Sequence, residues 1–288
     1  ADIDLGGGTL TIATNSTLDF QGGSFSNGNI VFQNTTINRN AKLFISASGT
    51  IANTSISLNW FGLSPDVDDN SVLFSRIQGL TCSYRELTLE HGNYNFSQTI
   101  VFEQSNVTFR GISGRTFGGS DVTLVITVDD VLLRLKGTRY QIKDITFAGS
   151  IDARTASVGL MFSRVDNPDS TTESALASID SKVENCQFYN LWRGIYVLGN
   201  QIRLSDLSFS RCMQGMAFDT FTGASPMYYG SNGRSYVISR CNFHSMVSTD
   251  LANGCIVILN RECICFQISG CHQDCETHFI VGQALTRS

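Results

Sequence analysis

The 288-residue sequence is short of charge. Asp, Glu, Lys and Arg make up 16% of it, against roughly 25% in an average soluble domain, and no run of Lys or Arg occurs. Binding nucleic acid through its phosphates takes a basic stripe that displaces counterions, so a net charge of −5 without such a stripe excludes nucleic acid as the expected partner. No apolar stretch reaches the ~18 residues that a membrane-spanning helix would need, and no membrane insertion is expected. The opening Ala1-Asp2-Ile3-Asp4-Leu5 has neither the basic start nor the apolar core of a signal peptide. The four histidines, His91, His244, His272 and His278, form no arrangement with Ser and Asp that would support nucleophilic hydrolysis. Helical periodicity is scarce, and five Asn-x-Ser/Thr sites, at Asn15, Asn34, Asn53, Asn95 and Asn106, read as a composition rich in Asn, Ser and Thr.

What the sequence does have is one core motif restated five times. Alternate apolar residues lead to a polar pair, then an apolar residue, a spacer and usually Phe. The copies are Tyr140-x-Ile142-Lys-Asp-Ile145-x-Phe147, Val183-Glu-Asn-Cys186-x-Phe188, Ile202-x-Leu204-Ser-Asp-Leu207-x-Phe209, Tyr236-x-Ile238-Ser-Arg-Cys241-x-Phe243 and Phe266-x-Ile268-Ser-Gly-Cys271-x-Gln273. Period-2 alternation on both sides of a polar pair predicts two short strands joined by a tight bend. A unit with one apolar face must stack on its neighbour, so Ile145, Cys186, Leu207, Cys241 and Cys271 should form a ladder, at steps of 41, 21, 34 and 30 residues. A third strand follows each unit: Gly159-Leu-Met-Phe162, Gly194-Ile-Tyr-Val197, Gly215-Met-Ala-Phe218, Gly254-Cys-Ile-Val257 and His278-Phe-Ile-Val281. Three strands per turn with unequal insertions predict an all-β chain, a right-handed parallel β-helix. The rival immunoglobulin-like sandwich does not restate one core motif in a constant phase.

Three segments are expected. Residues 1–57 carry short alternating runs separated by Gly and Asn and read as a small N-terminal β-coil. Residues 58–96 pass through Leu58-Asn-Trp-Phe-Gly62 and Pro65-Asp-Val-Asp-Asp-Asn70 into the one convincing helix. Asp69 or Asn70 caps its start, Leu73, Phe74, Ile77 and Leu80 share its face, and Gly79 ends it. This helix should plug the open end of the coil, which fills residues 97–288. The last unit, Cys271 to Val281, is followed by no evident cap, so more chain is expected in nature.

The nine cysteines are an odd count, and three stand at ladder positions taken elsewhere by Ile or Leu. Cys186, Cys241 and Cys271 therefore read as small buried hydrophobes. The cluster Cys263-x-Cys265, Cys271-His272-x-x-Cys275 and His278 raises zinc, but its spacing fits no zinc ribbon, and alternation turns Cys263 and Cys265 away from Cys271. No metal and no other cofactor is expected. Gly111-Ile-Ser-Gly114-Arg-Thr-Phe-Gly118-Gly119 lacks the Lys-Ser/Thr of a phosphate loop and reads as turns.

The Trp-Phe-Gly segment, Asp-rich turn, helix and strand ending in Gly92-x-Tyr94 resemble the entry to the pectate-lyase-like β-helix superfamily, in particular phage and prophage tailspike proteins. Asp4-Leu-Gly-Gly-Gly and Leu18-Asp-Phe-Gln-Gly-Gly-Ser-Phe25-Ser-Asn-Gly resemble leader segments of such proteins from gut Bacteroidetes and their phages. The resemblance covers residues 1 to about 110 by motif and the rest by coil pattern. It departs at Ser64-Pro65-Asp66, where the family has Gly-Asp-Gly, and at Glu90-His91-Gly92-Asn93-Tyr94, where it has Pro-x-Gly-x-Tyr. These motifs are structural in the family and carry no catalysis. The resemblance implies a homotrimer in a virion tail or an extracellular setting, beside other tail proteins, with a bacterial surface glycan as ligand.

A site follows from the strand alignment. Connections after the third strand are long at 163–178, minimal at Gly199-Asn200, long at 220–234 and short at 260–262. Leaving one corner, they should build a cleft over the Tyr196–Arg203 turn, with Tyr196, Gln201 and Arg203 facing out. The walls bring Asp166, Asp169 and Glu173 from one loop and Asp219, Tyr228 and Tyr229 from the other. Paired carboxylates ~5 to ~9.5 Å apart serve glycoside hydrolysis, and rings with polar tips suit sugar faces. Asp219, with Glu173 or Asp169 opposite, is the catalytic candidate; Arg203, Tyr196, Gln201, Tyr228, Tyr229 and Asp166 are the substrate-binding set. Against this stand turn-forming Asp beside Pro168 and Trp192 as turn packing or a sugar platform. Two other functions fit the same sequence: a non-enzymatic fibre or adhesin, and a secreted polysaccharide lyase using Arg203 as base.

Overall fold

A computed structural model describes residues 2–38, 41–77, 79–80, 85–112, 121–150, 155–163, 180–198, 201–218, 235–247, 254–258, 265–275 and 278–282. From Arg85 onward, with Ser55–Ser57 paired below Arg85–Leu89 as an added strand of the first face, the chain winds as a right-handed parallel β-helix with three faces. The first face is an eight-stranded sheet that includes Tyr236 and Phe266 in Ser235–Ser239 and Cys265–Ser269; the second and third are seven-stranded. Every pairing between rungs is parallel, and each face pairs only with itself.

The register confirms the ladder. Thr146, Gln187, Ser208, Asn242 and His272 pair in succession on the second face. The residues just before them, Ile145, Cys186, Leu207, Cys241 and Cys271, are therefore stacked. The polar pair has a conformational reason as well as a solvation one. Its second member, Asp144, Asn185, Asp206, Arg240 or Gly270, has φ between 53° and 62°, the left-handed region that turns the chain from the first face onto the second. Asp, Asn and Gly enter that region most cheaply. Arg240 is the exception, and its guanidinium grips Asp206 of the rung below with two 2.7 Å bonds.

Inside the second face, Phe147, Phe188, Phe209 and Phe243 stack with centroids 4.9–5.2 Å apart and planes within 7–10° of parallel. These rings explain the glycines that open the third strands. A Cβ on Gly194 would lie 2.6 Å from the Phe209 ring, and one on Gly215 2.6 Å from the Phe243 ring. Glycine there is a packing requirement across the core, since neither position has a positive φ.

Before the coil, the strands Ile3–Asp4, Thr9–Thr11 and Thr17–Leu18 each pair in parallel with the long strand Phe25–Ile37, which pairs with Leu43–Ile51. The helix is shorter than its periodicity predicts. It spans Ser71–Ser75, and Gly79–Leu80 instead form a strand beside Ser48–Gly49. Leu80 is thus a core residue of the N-terminal sheet rather than of the helix face, because pairing with an open edge satisfies backbone groups that another helical turn would not. Phe74 lies 6.1–6.5 Å from Phe96, Phe102 and Phe109, one ring from each face of the coil. Asp69 accepts from the Ser71 amide and from the Ser97 amide, tying helix to coil.

Candidate functional site

The corner between the third and first faces is where the chain leaves Val158–Phe162, Arg193–Val197, Gln214–Phe218 and Gly254–Ile258. It re-enters at Ser181–Glu184, Ile202–Ser205, Ser235–Ser239 and Cys265–Ser269. Because those strands are in register, the connections between them all start and finish along one edge of the coil. Asp180 and Gln201 hold φ of 57° at this corner, which aims each returning strand down the first face.

A depression of about 410 Å³ opens beside that corner, lined by Asp180, Gln201, Arg203, Ser235 and Val237. The five side chains come from three successive rungs. Lys182, Arg203 and Val237 are direct register partners, so the depression runs up the coil axis across two gaps of about 4.8 Å each. A carboxylate, a carboxamide, a guanidinium, a hydroxyl and one apolar patch meet there. The face below is ionically paired: Arg110 contacts Glu86 at 3.2 Å and Asp144 at 3.5 Å, and Lys182 contacts Glu184 at 2.8 Å. Among the described residues Arg203, which is exposed, has no carboxylate within ion-pair distance. Its charge faces the groove.

Of the residues read from sequence, Gln201 and Arg203 line this groove together. Tyr196 does not. It points away from the coil axis, as alternation requires, but is buried on the outer side of the third face among Met161, Ala217 and Val257. The Arg193 guanidinium lies 4.6 Å above its ring and 3.8 Å above that of Trp192, held by a 2.6 Å bond from Nε to Gln214 Oε1. Trp192 is thus packed under an arginine at the turn. Asp166, Asp169 and Glu173, in 164–179, and Asp219, Tyr228 and Tyr229, in 219–234, lie outside the described residues, as do Gly199, Asn200 and most of the glycine-rich segment after Gly111. Asp180, Ser235 and Val237 were missed by sequence reasoning. The shared phase of Ile202-x-Leu204 and Tyr236-x-Ile238 in the repeat already sets Val237 beside Arg203.

No group of three or more His, Cys, Asp or Glu able to hold a metal occurs among the described residues. Cys186, Cys212, Cys241 and Cys255 are buried and Cys271 and Cys275 half-buried, none of them in a disulfide. Burial pushes the Cys186 thiol up to about 12, so it stays protonated and inert. No helix among the described residues is long and apolar enough to cross a membrane.

No family model and no curated protein sequence matches the chain. Two solved structures are similar. A Geobacillus virus E2 protein, ORF18, is 12% identical with a TM-score of 0.42 over 76% of this chain and 50% of its own, so this chain spans about half of that protein's length. A Parabacteroides merdae ATCC 43184 protein, provisionally assigned as a glycosyl hydrolase, is 12% identical with a TM-score of 0.26 over 77% of this chain and 98% of its own.

Proposed function

We propose that the protein is a tailspike-like β-helix that binds a bacterial surface polysaccharide along the corner between its third and first faces and depolymerises it there. The observation that carries this reading is the convergence of Asp180, Gln201, Arg203, Ser235 and Val237 from three rungs into one groove. A sugar chain presents closely spaced hydroxyls and apolar ring faces, and this mixture of donors, acceptors and one apolar patch matches it. Arg203 favours an anionic sugar. Asp219 is the proposed acid or nucleophile, with Glu173 or Asp169 as its partner, and Asp166, Tyr228 and Tyr229 are proposed substrate contacts. By resemblance to tailspikes, the native assembly is a homotrimer on a virion tail.

A capsule and lipopolysaccharide panel tests this. Arg203→Ala should weaken binding of the recognised glycan at least tenfold with unchanged thermal stability. Asp219→Asn should abolish reducing-sugar release while binding persists. Binding without any product would leave the non-enzymatic adhesin ahead, and unsaturated-uronate absorbance as the product would assign a lyase instead. No glycan bound at all, or Arg203→Ala binding at full strength, would remove this site.

A further inference from the structure

The three faces of the coil differ in what they turn outward. Over the five rungs from Arg85–Leu89 to Ile202–Ser205, the outward side chains of the first face include Glu86, Arg110, Lys143, Lys182, Glu184 and Arg203. The matching rungs of the second face carry an outward column of Asn93, Thr123, Thr146, Gln187 and Ser208. A second column, from Asn95 through Tyr189 to Ser210, has no charge either. The neutral stripe is about 19 Å tall over four inter-rung gaps. Its first ionisable neighbour is His244, one rung further, which meets Asp274 at 3.6 Å. On the third face the outward column Met161, Tyr196, Ala217 and Val257 is already buried.

We infer that the second face is where parallel copies of this chain meet, around a threefold axis that runs along the coil. The inference rests on the trimeric reading above and supplies the surface that reading lacks. Rotational symmetry brings a side chain near the axis to its own copies at the same height. A charge there meets its own sign, which is repulsive, and the first face carries charge on each of these five rungs. Asn, Gln, Ser and Thr each hold a donor and an acceptor, so each can bond to a copy of itself. The column from Asn93 to Ser208 consists of such residues alone.

The two edges of this face complement each other. Threefold rotation sets the edge that precedes each second-face strand in one copy against the edge that follows it in the next. The strand Ser208–Ser210 is preceded by Asp206 and followed by Arg211, which turn the corners with φ of 57° and 54°. At that height a carboxylate edge therefore meets a guanidinium edge, and Asp206 remains partly exposed beside Arg240. Arg211 is held in place by its Nη1, which donates to the Tyr189 hydroxyl at 2.9 Å, with the guanidinium 5.6 Å over the ring centroid. The Tyr189 ring, on which a sugar would stack, is thus already partnered by an arginine. That favours a second copy of the chain over a second glycan as the occupant of this face.

The test compares the whole chain with Gln187→Lys and Gln187→Glu by sedimentation velocity over a concentration series, with Thr108→Lys on the first face as control. Wild type and Thr108→Lys should form trimers alike. Each Gln187 variant alone should need at least tenfold more protein to do so, because like charges then meet around the axis. An equimolar mixture of the two should regain association, since lysine on one copy meets glutamate on the next. Only a position that faces its own copy gives that rescue, and a misfolded variant does not. Trimers indifferent to both Gln187 substitutions, or weakened without rescue on mixing, would overturn the inference and leave the trimeric reading standing. A chain that stays monomeric up to its solubility limit would overturn both, with glycan binding at Arg203 unaffected.

Discussion

One carboxylate at the junction of the entry helix with the coil makes that junction pH-sensitive. Asp69 accepts from the backbone amides of Ser71 and Ser97 and from the Ser97 hydroxyl. Burial opposes ionisation, but these hydrogen bonds outweigh it and hold the carboxyl far below the usual carboxylate range. A depressed folded value means that the stabilisation is complete above the unfolded value of about 3.9 and is lost as pH falls through the folded one. Stability should therefore decline from pH 5 towards pH 2 in the wild type. In Asp69→Asn the decline should be shallower, starting from a protein about 1–2 kcal/mol weaker at pH 7. Urea titrations at several pH values check this, and parallel pH profiles for the two proteins would refute it. Asp69 was legible in sequence as one of two candidate caps, with Asn70, because Asp or Asn before a short apolar run is a local signal. Its bonds to Ser97 were not, because nothing local links residues 28 positions apart.

At the scale of the strand, glycine and phenylalanine form a complementary pair of ladders. The third strand can approach the second-face rings only where it has no side chain, and Gly194 faces Phe209 as Gly215 faces Phe243. Gly194→Ala would place a methyl 2.6 Å from the Phe209 ring and 2.7 Å from the Gly215 carbonyl oxygen, with backbone on one side unable to yield. Overpacking of this kind costs about 1–3 kcal/mol, although alanine would ordinarily favour the strand over glycine. Chemical denaturation should show that loss for Gly194→Ala and a change within about 0.5 kcal/mol for Ser208→Ala on the outer face. Equal stability of Gly194→Ala and the wild type would mean that the rings slip aside. Both ladders could be read before any coordinates, since a repeated core fixes phase and each strand restates it. The corner insertions could be counted but not shaped. Asp169, Glu173 and Asp219 sit in stretches with no period, and alternation says which way a side chain points only inside a strand. Tyr196 shows the converse limit: alternation gave its direction correctly, yet outward in a sheet does not mean exposed once Arg193 lies across the ring.

For the whole molecule, the coil is a one-dimensional stack in which each rung packs on its neighbours along the axis. Its stability is a sum of rung and interface contributions, so local opening should be graded along the axis rather than uniform. The aromatic stack from Phe147 to Phe243 spans the middle rungs, where side chains are fully buried. At the start, Phe74 supplies the first rung with a ring against all three faces. The last rung is different. The stack ends at Gln273 in place of phenylalanine, and Phe279 meets Phe243 edge-on at 5.9 Å instead of continuing the parallel series. Amides of the strands within 181–218 should exchange slowest, by global opening. Those of 265–269 and 272–274, where Gln273 interrupts the ring stack, should exchange at least a hundredfold faster by local opening, a difference of about 2.7 kcal/mol in opening free energy. Uniform protection of the described strands from 141 to 282 would show that the coil opens only as a unit.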